Sequence, residues 1–309
     1  MKKAIIILGV GISVLCNILI SCQKEDIYLS YENEDTYDNL NEEINSEERT
    51  IYHIDIPNFD VTGVSYFVKD QIEDTINHTS WKYCLLLPPS YYENEQKKYP
   101  VLYLLHGLGS AYTDWVGAGN SQLGYDYCLF NDLMPEVIVV MPSGGESYYV
   151  DGYEGKDLKY ETFFFKEFIP EVESKYRIDR RYSCRMIAGC SMGGYGAAHY
   201  AFKYNDMFSY CYAMSGTLLG KGDGTTPSIL EEVEKKNPNS LPLMTMDIGL
   251  GDGFLEINEF VNRKLDLAGV PHEFIIRNGQ HSWSYWKESI YLLYVRVGKV
   301  LNGNIDFIN

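Results

Sequence analysis

The chain has 309 residues, of which 45% are apolar and 22% are charged. This composition excludes a wholly disordered chain, a collagen-like repeat and a polytopic membrane protein, and the length allows a large hydrophobic core. The net charge of −17 argues against nucleic acid as a partner, because phosphate binding requires lysine and arginine. The seven cysteines form no CxxC pair and no cluster with histidine, which argues against a metal site.

The first 22 residues have the features of an export signal. Two lysines precede an apolar run at residues 4–20, which is the pattern of a secretory signal peptide. The run ends in the sequence LISC at residues 19–22, which resembles the lipobox of bacterial lipoproteins. That resemblance implies cleavage before Cys22, acylation of Cys22 and a lipid anchor in a membrane. A plain cleaved signal and an uncleaved helix are the alternatives.

Residues 23–50 are predicted to be a disordered tether. They contain ten acidic residues, two basic ones and few apolar ones, and such a segment cannot bury enough surface to offset the entropy of folding. Its acidic start at residues 23–26 resembles the signal that sends some lipoproteins to the outer cell surface, and a solvated spacer is the alternative interpretation. The sequence therefore predicts a cell-envelope lipoprotein of the outer membrane; exposure at the cell surface follows only from the first interpretation of residues 23–26.

From residue 51 onward, short apolar runs alternate with stretches of helical periodicity. Strands are predicted at Val64–Val68, Trp81–Leu87, Val101–Leu105, Val137–Met141, Arg185–Ala188, Tyr210–Met214, Leu243–Ile248 and Phe274–Arg277. Helices are predicted at Glu161–Lys175, Gly194–Lys203, Leu255–Ala268 and Ser284–Val300. Continuous apolar runs indicate strands buried on both faces, hence a mostly parallel sheet with helices on both faces. The pattern predicts one doubly wound α/β domain over residues 51–309.

The strongest chemical signal is the sequence GCSMG at residues 189–193. It follows a predicted strand and precedes a helix rich in small residues, which is the setting of a nucleophile elbow. The sharp turn would force Ser191 into a strained backbone conformation and project its hydroxyl above the sheet. Ser191 is therefore the predicted nucleophile, and a glycine-rich turn under helix packing is the alternative.

A serine hydroxyl needs a base to accept its proton, and in the α/β-hydrolase order the base follows the nucleophile in the chain. His272 and His281 are the histidines that follow Ser191. His272 begins a predicted strand, whereas His281 lies in a loop before the last helix, where this architecture places its chemistry. His281 is the predicted general base, and His53, His78 and His199 are interpreted as structural or surface residues.

The third member of a triad should follow a strand that lies between the nucleophile and the base. Asp252 lies in the loop after the strand predicted at Leu243–Ile248 and is the first choice. Asp247 lies within that strand and is the second choice, and Asp223, in a polar insertion, is the third.

An oxyanion hole requires backbone N–H groups that point at the developing negative oxygen. The strand at Val101–Leu105 leads into the sequence HGLG at residues 106–109, which resembles the HG-type loop of hydrolases. The N–H groups of Leu108 and Met192 are the predicted pair. His106 is interpreted as a structural residue that shapes this loop.

Residues 64–300 resemble the esterase D group of the α/β-hydrolases, which includes family 1 carbohydrate esterases and feruloyl esterases. The matching stretches are residues 99–107, 114–115, 141–145, 188–196, 249–252 and 279–283. The resemblance implies an α/β-hydrolase fold and serine-dependent ester hydrolysis without a cofactor or a metal. The usual residue at position 190 is apolar, and Cys190 should pack there as a small hydrophobic side chain.

An exported lipoprotein suits the degradation of external polymers, so acetyl or feruloyl esters of plant cell-wall polysaccharides are the expected substrates. Aromatic side chains near the predicted site could stack on sugar or feruloyl rings; they are Trp115, Tyr148, Tyr149, Tyr153, Trp283 and Trp286. Because tyrosine is abundant in this chain, packing in the core is the alternative for most of them. An acyltransferase that uses a glycan hydroxyl, and a non-catalytic glycan-binding lipoprotein, are the alternative functions.

Overall fold

The computed structural model describes residues 49–59, 64–221 and 224–304. The predicted signal, the lipobox with Cys22 and most of the predicted tether lie outside the described residues, as does Asp223. No helix within the described ranges combines the length and apolar character that a membrane span requires.

Eight strands form one sheet. In chain order they are β1 (Tyr66–Asp74), β2 (Thr79–Leu87), β3 (Val101–Leu105), β4 (Ile138–Pro142), β5 (Arg185–Cys190), β6 (Tyr210–Met214), β7 (Leu243–Gly249) and β8 (His272–Arg277). The order across the sheet is β1-β2-β4-β3-β5-β6-β7-β8. The pairs β1–β2 and β2–β4 are antiparallel, and every pair from β4 to β8 is parallel.

The α-helices of the described residues lie between strands of this sheet, except for the last one, which follows β8. They are α1 (Asp114–Gly117), α2 (Ser121–Phe130), α3 (Tyr160–Phe163), α4 (Ile169–Lys175), α5 (Met192–Lys203), α6 (Leu230–Lys235), α7 (Leu255–Ala268) and α8 (Trp283–Leu301). A π-helical segment, Phe164–Phe168, joins α3 to α4. The sequence predicts one continuous helix at Glu161–Lys175. Pro170, near the start of α4, has no N–H to donate to the preceding turn, and this explains the wider π-helical turn before it.

Alternate residues of each central strand face two different hydrophobic cores. In β3, Val101, Tyr103 and Leu105 face one core, and Leu102 and Leu104 face the other. Helices α3, α5 and α7 pack in the first core, and α2 and α8 pack in the second. All five residues of β3 are fully buried, so the continuous apolar run in the sequence reflects burial on both faces. The predicted doubly wound α/β-hydrolase fold is confirmed.

The short helices α1 and α6 were not predicted, and several strand bounds differ by one or two residues. Two further differences are larger. The first strand spans Tyr66–Asp74 rather than Val64–Val68, because this edge strand carries polar residues along its exposed face and its pattern is not an apolar run. Helix α2 was not predicted from the pattern. Its buried side includes the polar residues Ser121 and Asp126, so no clean apolar stripe marks it.

Candidate active site

Ser191 lies between the end of β5 and the start of α5. Its φ of 53° and ψ of −120° are a conformation that residues with a side chain rarely adopt. The Ser191 N–H donates to the Met214 carbonyl oxygen at 2.8 Å, which ties the turn to the end of β6. A Cβ atom on Gly193 would lie 2.4 Å from the Leu105 carbonyl oxygen, so glycine alone fits this position. The predicted strained elbow is present.

His281 lies in the loop between β8 and α8, at the same edge of the sheet. Its Nε2 atom is 2.9 Å from the Ser191 Oγ atom, and its Nδ1 atom is 2.9 Å from Oδ2 of Asp252. Because a carboxylate accepts hydrogen bonds, Nδ1 carries the proton and Nε2 can accept the hydroxyl proton of Ser191. The arrangement can therefore activate a serine hydroxyl.

Asp252 lies in the loop after β7, and its side chain is fully buried whereas that of His281 is 18% exposed. The second oxygen of Asp252 accepts the backbone N–H of Phe254 at 2.9 Å. Both carboxylate oxygens are thus occupied, and the carboxylate can hold the imidazole in one tautomer.

Asp247, the second choice for this position, has a different environment. Its carboxylate is fully buried and accepts hydrogen bonds from the Arg277 guanidinium at 3.0 and 3.2 Å. It also accepts from the hydroxyl groups of Tyr212 and Tyr285. Asp247 therefore forms a buried ion pair that links β7 to β8, and in this structure it is not the partner of His281.

His272 begins β8 and is held in place as predicted. Its Nδ1 atom is 2.8 Å from the Val270 carbonyl oxygen, and its Nε2 atom is 2.9 Å from Oδ1 of Asn262. Both ring nitrogens are occupied in structural contacts, so His272 has no free nitrogen for Ser191.

His106 shapes the loop after β3. Its Nε2 atom accepts the N–H of Gly144 at 2.8 Å, so Nδ1 carries the proton and donates to the Gly107 carbonyl oxygen at 2.8 Å. Burial lowers the pKa of His106, which favours this neutral form. The structural interpretation of His106 matches its contacts.

The loop after β3 lies against the elbow. A Cβ atom on Gly107 would lie 3.4 Å from the Ser191 Cβ atom, so the two backbones are in close contact. Met192 is the first residue of α5, and helices leave their first N–H groups without an internal acceptor. Leu108 is half-buried in the loop. The amides chosen for the oxyanion hole therefore belong to the two segments that meet at Ser191.

Two of the aromatic residues predicted to contact substrate are core residues. Trp115 is fully buried, and its indole N–H donates to the Leu105 carbonyl oxygen at 3.1 Å. Tyr149 is also fully buried, and its hydroxyl donates to the His106 carbonyl oxygen at 2.9 Å. Both predictions are wrong, because rings that anchor strand ends have no surface for a ligand.

Two further rings, Tyr148 and Tyr153, are stacked on each other with centroids 4.8 Å apart and are each 3% exposed. Tyr148 is therefore also corrected to a packing residue. Trp283 is half-buried at the start of α8. Its ring packs edge-to-face on Trp115 and Trp286, and it is the one of the six aromatic residues that is not buried.

The sequence placed Trp286 near the site as a ring for substrate, but neither its contact with His281 nor that of Phe254 was predicted. Phe254 and Trp286 have ring centroids 5.1 and 4.9 Å from the imidazole. Trp286 is 6% exposed, and its indole N–H donates to Ser215 Oγ at 3.2 Å. The position of Trp286, five residues after His281 and one turn into α8, is the signal in the sequence that could have indicated this contact.

The cysteines of the described residues are buried and free. Cys190 is fully buried beside the elbow, and burial raises the pKa of its thiol. The thiol is therefore neutral and packs as a small hydrophobic group, as expected.

Comparison with known proteins places these observations in context. The model of the Esterase family matches residues 76–292. An acetyl esterase of Caldicellulosiruptor saccharolyticus is 27% identical over 220 residues, which cover 61% of this chain and 79% of that protein. An endo-1,4-beta-xylanase/feruloyl esterase of Xylanibacter ruminicola is 28% identical over 201 residues, which cover 64% of this chain and 26% of that protein.

A solved ferulic acid esterase has a similar structure. It has a TM-score of 0.71 and 31% sequence identity, and the match covers 76% of this chain and 98% of that one. The Esterase family match, residues 76–292, spans β2 to β8 and the loops that carry Ser191, Asp252 and His281.

Proposed function

The chain belongs to the Esterase family, and we propose that this esterase acts through an acyl-enzyme formed on Ser191, with His281 as general base and Asp252 as the acid that orients it. The observation that carries the proposal is the hydrogen-bonded line from Asp252 through His281 to Ser191, with both distances 2.9 Å. Strain at Ser191 supports the same role, because strained backbone concentrates at functional sites.

In the first half-reaction, Ser191 Oγ attacks the ester carbonyl carbon while its proton moves to Nε2 of His281. The carbonyl π electrons move to oxygen and form an oxyanion. Collapse of this intermediate breaks the bond to the leaving oxygen, which takes the proton from Nε2 and departs as an alcohol. The acyl group remains on Ser191.

In the second half-reaction, water takes the place of the alcohol. His281 accepts a water proton as the water oxygen attacks the acyl carbon, and it returns that proton to Ser191 Oγ as the carboxylic acid leaves. Asp252 stabilises the imidazolium that forms in each half without itself becoming protonated.

The amides of Leu108 and Met192 are the proposed oxyanion hole. Support comes from the contact between Gly107 and Ser191, which puts the loop after β3 beside the nucleophile. Donors fixed by the backbone need no reorganisation when negative charge develops on oxygen.

The proposed substrates are acetyl or feruloyl esters of plant cell-wall polysaccharides. The names of the similar proteins, an acetyl esterase, a xylanase/feruloyl esterase and a ferulic acid esterase, support this class. Trp283, half-buried at the start of α8, is the proposed stacking residue for a sugar or feruloyl ring.

We further propose that lipid on Cys22 anchors the protein in the outer membrane. The lipobox-like sequence at residues 19–22 supports this proposal. In cells fed a labelled fatty acid, label should appear in the protein and be lost from a Cys22→Ser variant. Equal labelling of both proteins would contradict the anchor.

The substrate proposal is tested by comparing hydrolysis of p-nitrophenyl acetate, methyl ferulate and acetylated xylan by the purified protein, with Ser191→Ala as the control. The expected result is release of acetate or ferulate by the wild type and none above background by the variant. Activity on p-nitrophenyl acetate without activity on either cell-wall ester would contradict the proposed substrate class but retain the mechanism.

A further inference from the structure

The imidazole of His281 depends on more than its two hydrogen bonds. A hydrogen bond keeps most of its strength over a tilt of roughly 30° from linearity. Contacts at Nδ1 and Nε2 alone therefore leave the ring angle loosely defined. The rings of Phe254 and Trp286 contact the imidazole at interplanar angles of 71° and 88°, and such edge-to-face packing resists tilting.

Trp286 is itself anchored to the strand end that holds the nucleophile. Its indole N–H donates to Ser215 Oγ at 3.2 Å, and the preceding residue, Met214, accepts the N–H of Ser191 at 2.8 Å. Two consecutive residues at the end of β6 therefore hold the elbow on one side and the indole on the other. This connection fixes the imidazole relative to the hydroxyl it must deprotonate.

Ser215 is specialised for this contact. It is fully buried, its φ is 49°, and its N–H donates to the Asp247 carbonyl oxygen at 2.8 Å. A residue with a side chain rarely adopts this left-handed conformation, and such strain accompanies functional constraint. The conformation holds the hydroxyl where the indole N–H can reach it.

From these contacts we propose that Trp286 is a positioning residue for His281 and that the Trp286–Ser215 hydrogen bond sets the angle at which the imidazole meets Ser191. The inference rests on the proposed triad and adds a residue that acts through the imidazole, on which its ring packs. It requires that loss of the indole lower kcat more than it changes KM, because a misaligned base slows proton transfer while substrate binding persists.

Three variants test this inference with p-nitrophenyl acetate as the substrate. Trp286→Leu removes the ring and should lower kcat by about 10- to 100-fold, with KM within about threefold of wild type. Trp286→Phe and Ser215→Ala each remove the same hydrogen bond but keep most of the packing. Each should lower kcat by about three- to tenfold, and the double variant should lose no more than either single one.

Tyr291→Leu is the matched control, because Tyr291 lies in the same helix and its ring contacts Phe59 and Tyr127 rather than His281. It should lower the melting temperature to a similar degree and leave kcat unchanged. If Trp286→Leu does not fold, the double-variant comparison decides. The inference would be overturned if the fold-loss in kcat of the double variant equalled the product of the two single losses. It would also be overturned if neither Trp286→Phe nor Ser215→Ala changed kcat.

Failure of this inference and failure of the proposed function give different results. Full activity of Ser191→Ala would remove the proposed function and this inference together. An inactive Ser191→Ala, combined with unchanged kinetics in the Trp286 and Ser215 variants, would overturn the positioning role and leave the triad in place.

Discussion

The Nε2 atom of His281 lies 2.9 Å from the Oγ atom of Ser191, although the two residues are 90 positions apart in the chain. The parallel strands β5 and β8 produce this contact, because the carboxyl ends of parallel strands lie at one edge of the sheet. The loop after β7 adds Asp252 at the same edge. Three separate segments thus form one hydrogen-bonded line.

Asp252→Asn should lower kcat by a factor on the order of 10⁴ with little change in fold, because the amide favours the wrong imidazole tautomer. Steady-state kinetics with p-nitrophenyl acetate measure this effect, and the melting temperature serves as the check on folding. An unchanged kcat would show that Asp252 does not orient the base.

Asp247→Asn should lower the stability of the fold and largely retain kcat, in contrast to Asp252→Asn. Removing the charge breaks the buried pair and leaves the Arg277 guanidinium with only the half-exposed Glu288 as a counterion. Breaking a buried pair costs about 3–5 kcal/mol of folding free energy. Urea unfolding at pH 7 should show that loss, while the kcat of the folded fraction stays within about tenfold of wild type. A loss of kcat as large as that of Asp252→Asn would assign the catalytic role to both aspartates.

Gly193→Ala should prevent the elbow from forming. The added Cβ atom would lie 2.4 Å from the Leu105 carbonyl oxygen and 2.7 Å from that of His106, and neither backbone group can move freely. We expect a loss of about 3 kcal/mol or more in the free energy of unfolding, with loss of activity. Gly117→Ala is the matched control, since its Cβ would meet no atom within 4 Å. Equal melting temperatures for the two variants would contradict the close contact.

His106→Gln should weaken oxyanion stabilisation. The ring bridges the loop after β3 to Gly144, and its loss would free the Leu108 amide to move. Losing one oxyanion donor typically lowers kcat by about 10²-fold or more. The measurement is kcat together with the inhibition constant of a phosphonate that mimics the tetrahedral intermediate. Weaker inhibition should accompany the lower kcat; unchanged inhibition would argue that the loop is not disturbed.

Glu161 should stabilise the fold at neutral pH but not at strongly acid pH. Burial alone would raise its pKa, but contacts with His199, Lys203 and Tyr204 outweigh burial and lower the pKa to about 2. A carboxylate with a lowered pKa stabilises the folded state above its unfolded pKa, and the contribution disappears as pH falls from about 4.5 toward 2.

Glu161→Gln should therefore destabilise the protein by about 2 kcal/mol at pH 7, and the difference from wild type should shrink steadily below about pH 4.5. Urea unfolding of both proteins between pH 7 and pH 3 measures this trend. A constant difference across that range would show that the charge of Glu161 does not contribute.

Much of the fold could be predicted from sequence because burial leaves a clear pattern. All five residues of β3 are apolar since helices cover both faces of the sheet, and the corresponding prediction is confirmed residue for residue. The edge strand β1 and helix α2 carry polar residues at buried or paired positions. Their patterns are weak, so their bounds could not be predicted.

In the candidate site, too, some residues could be predicted from the sequence and others could not. Motif order singled out Ser191, His281 and Asp252, because chain order and loop position constrain these residues strongly. The aromatic residues were harder, because sequence does not distinguish an exposed ring from a buried one. Trp115 and Trp286 are both buried, and one anchors a strand end while the other contacts His281.

The most direct test of the account is to trap the acyl-enzyme. Wild-type protein mixed with p-nitrophenyl acetate and quenched in acid should carry one acetyl group on the peptide that contains Ser191, as read by mass spectrometry. The Ser191→Ala variant should carry none and should lose about 10⁶ in kcat. Absence of acetyl on Ser191 during turnover, or activity of Ser191→Ala above a few per cent of wild type, would contradict the account.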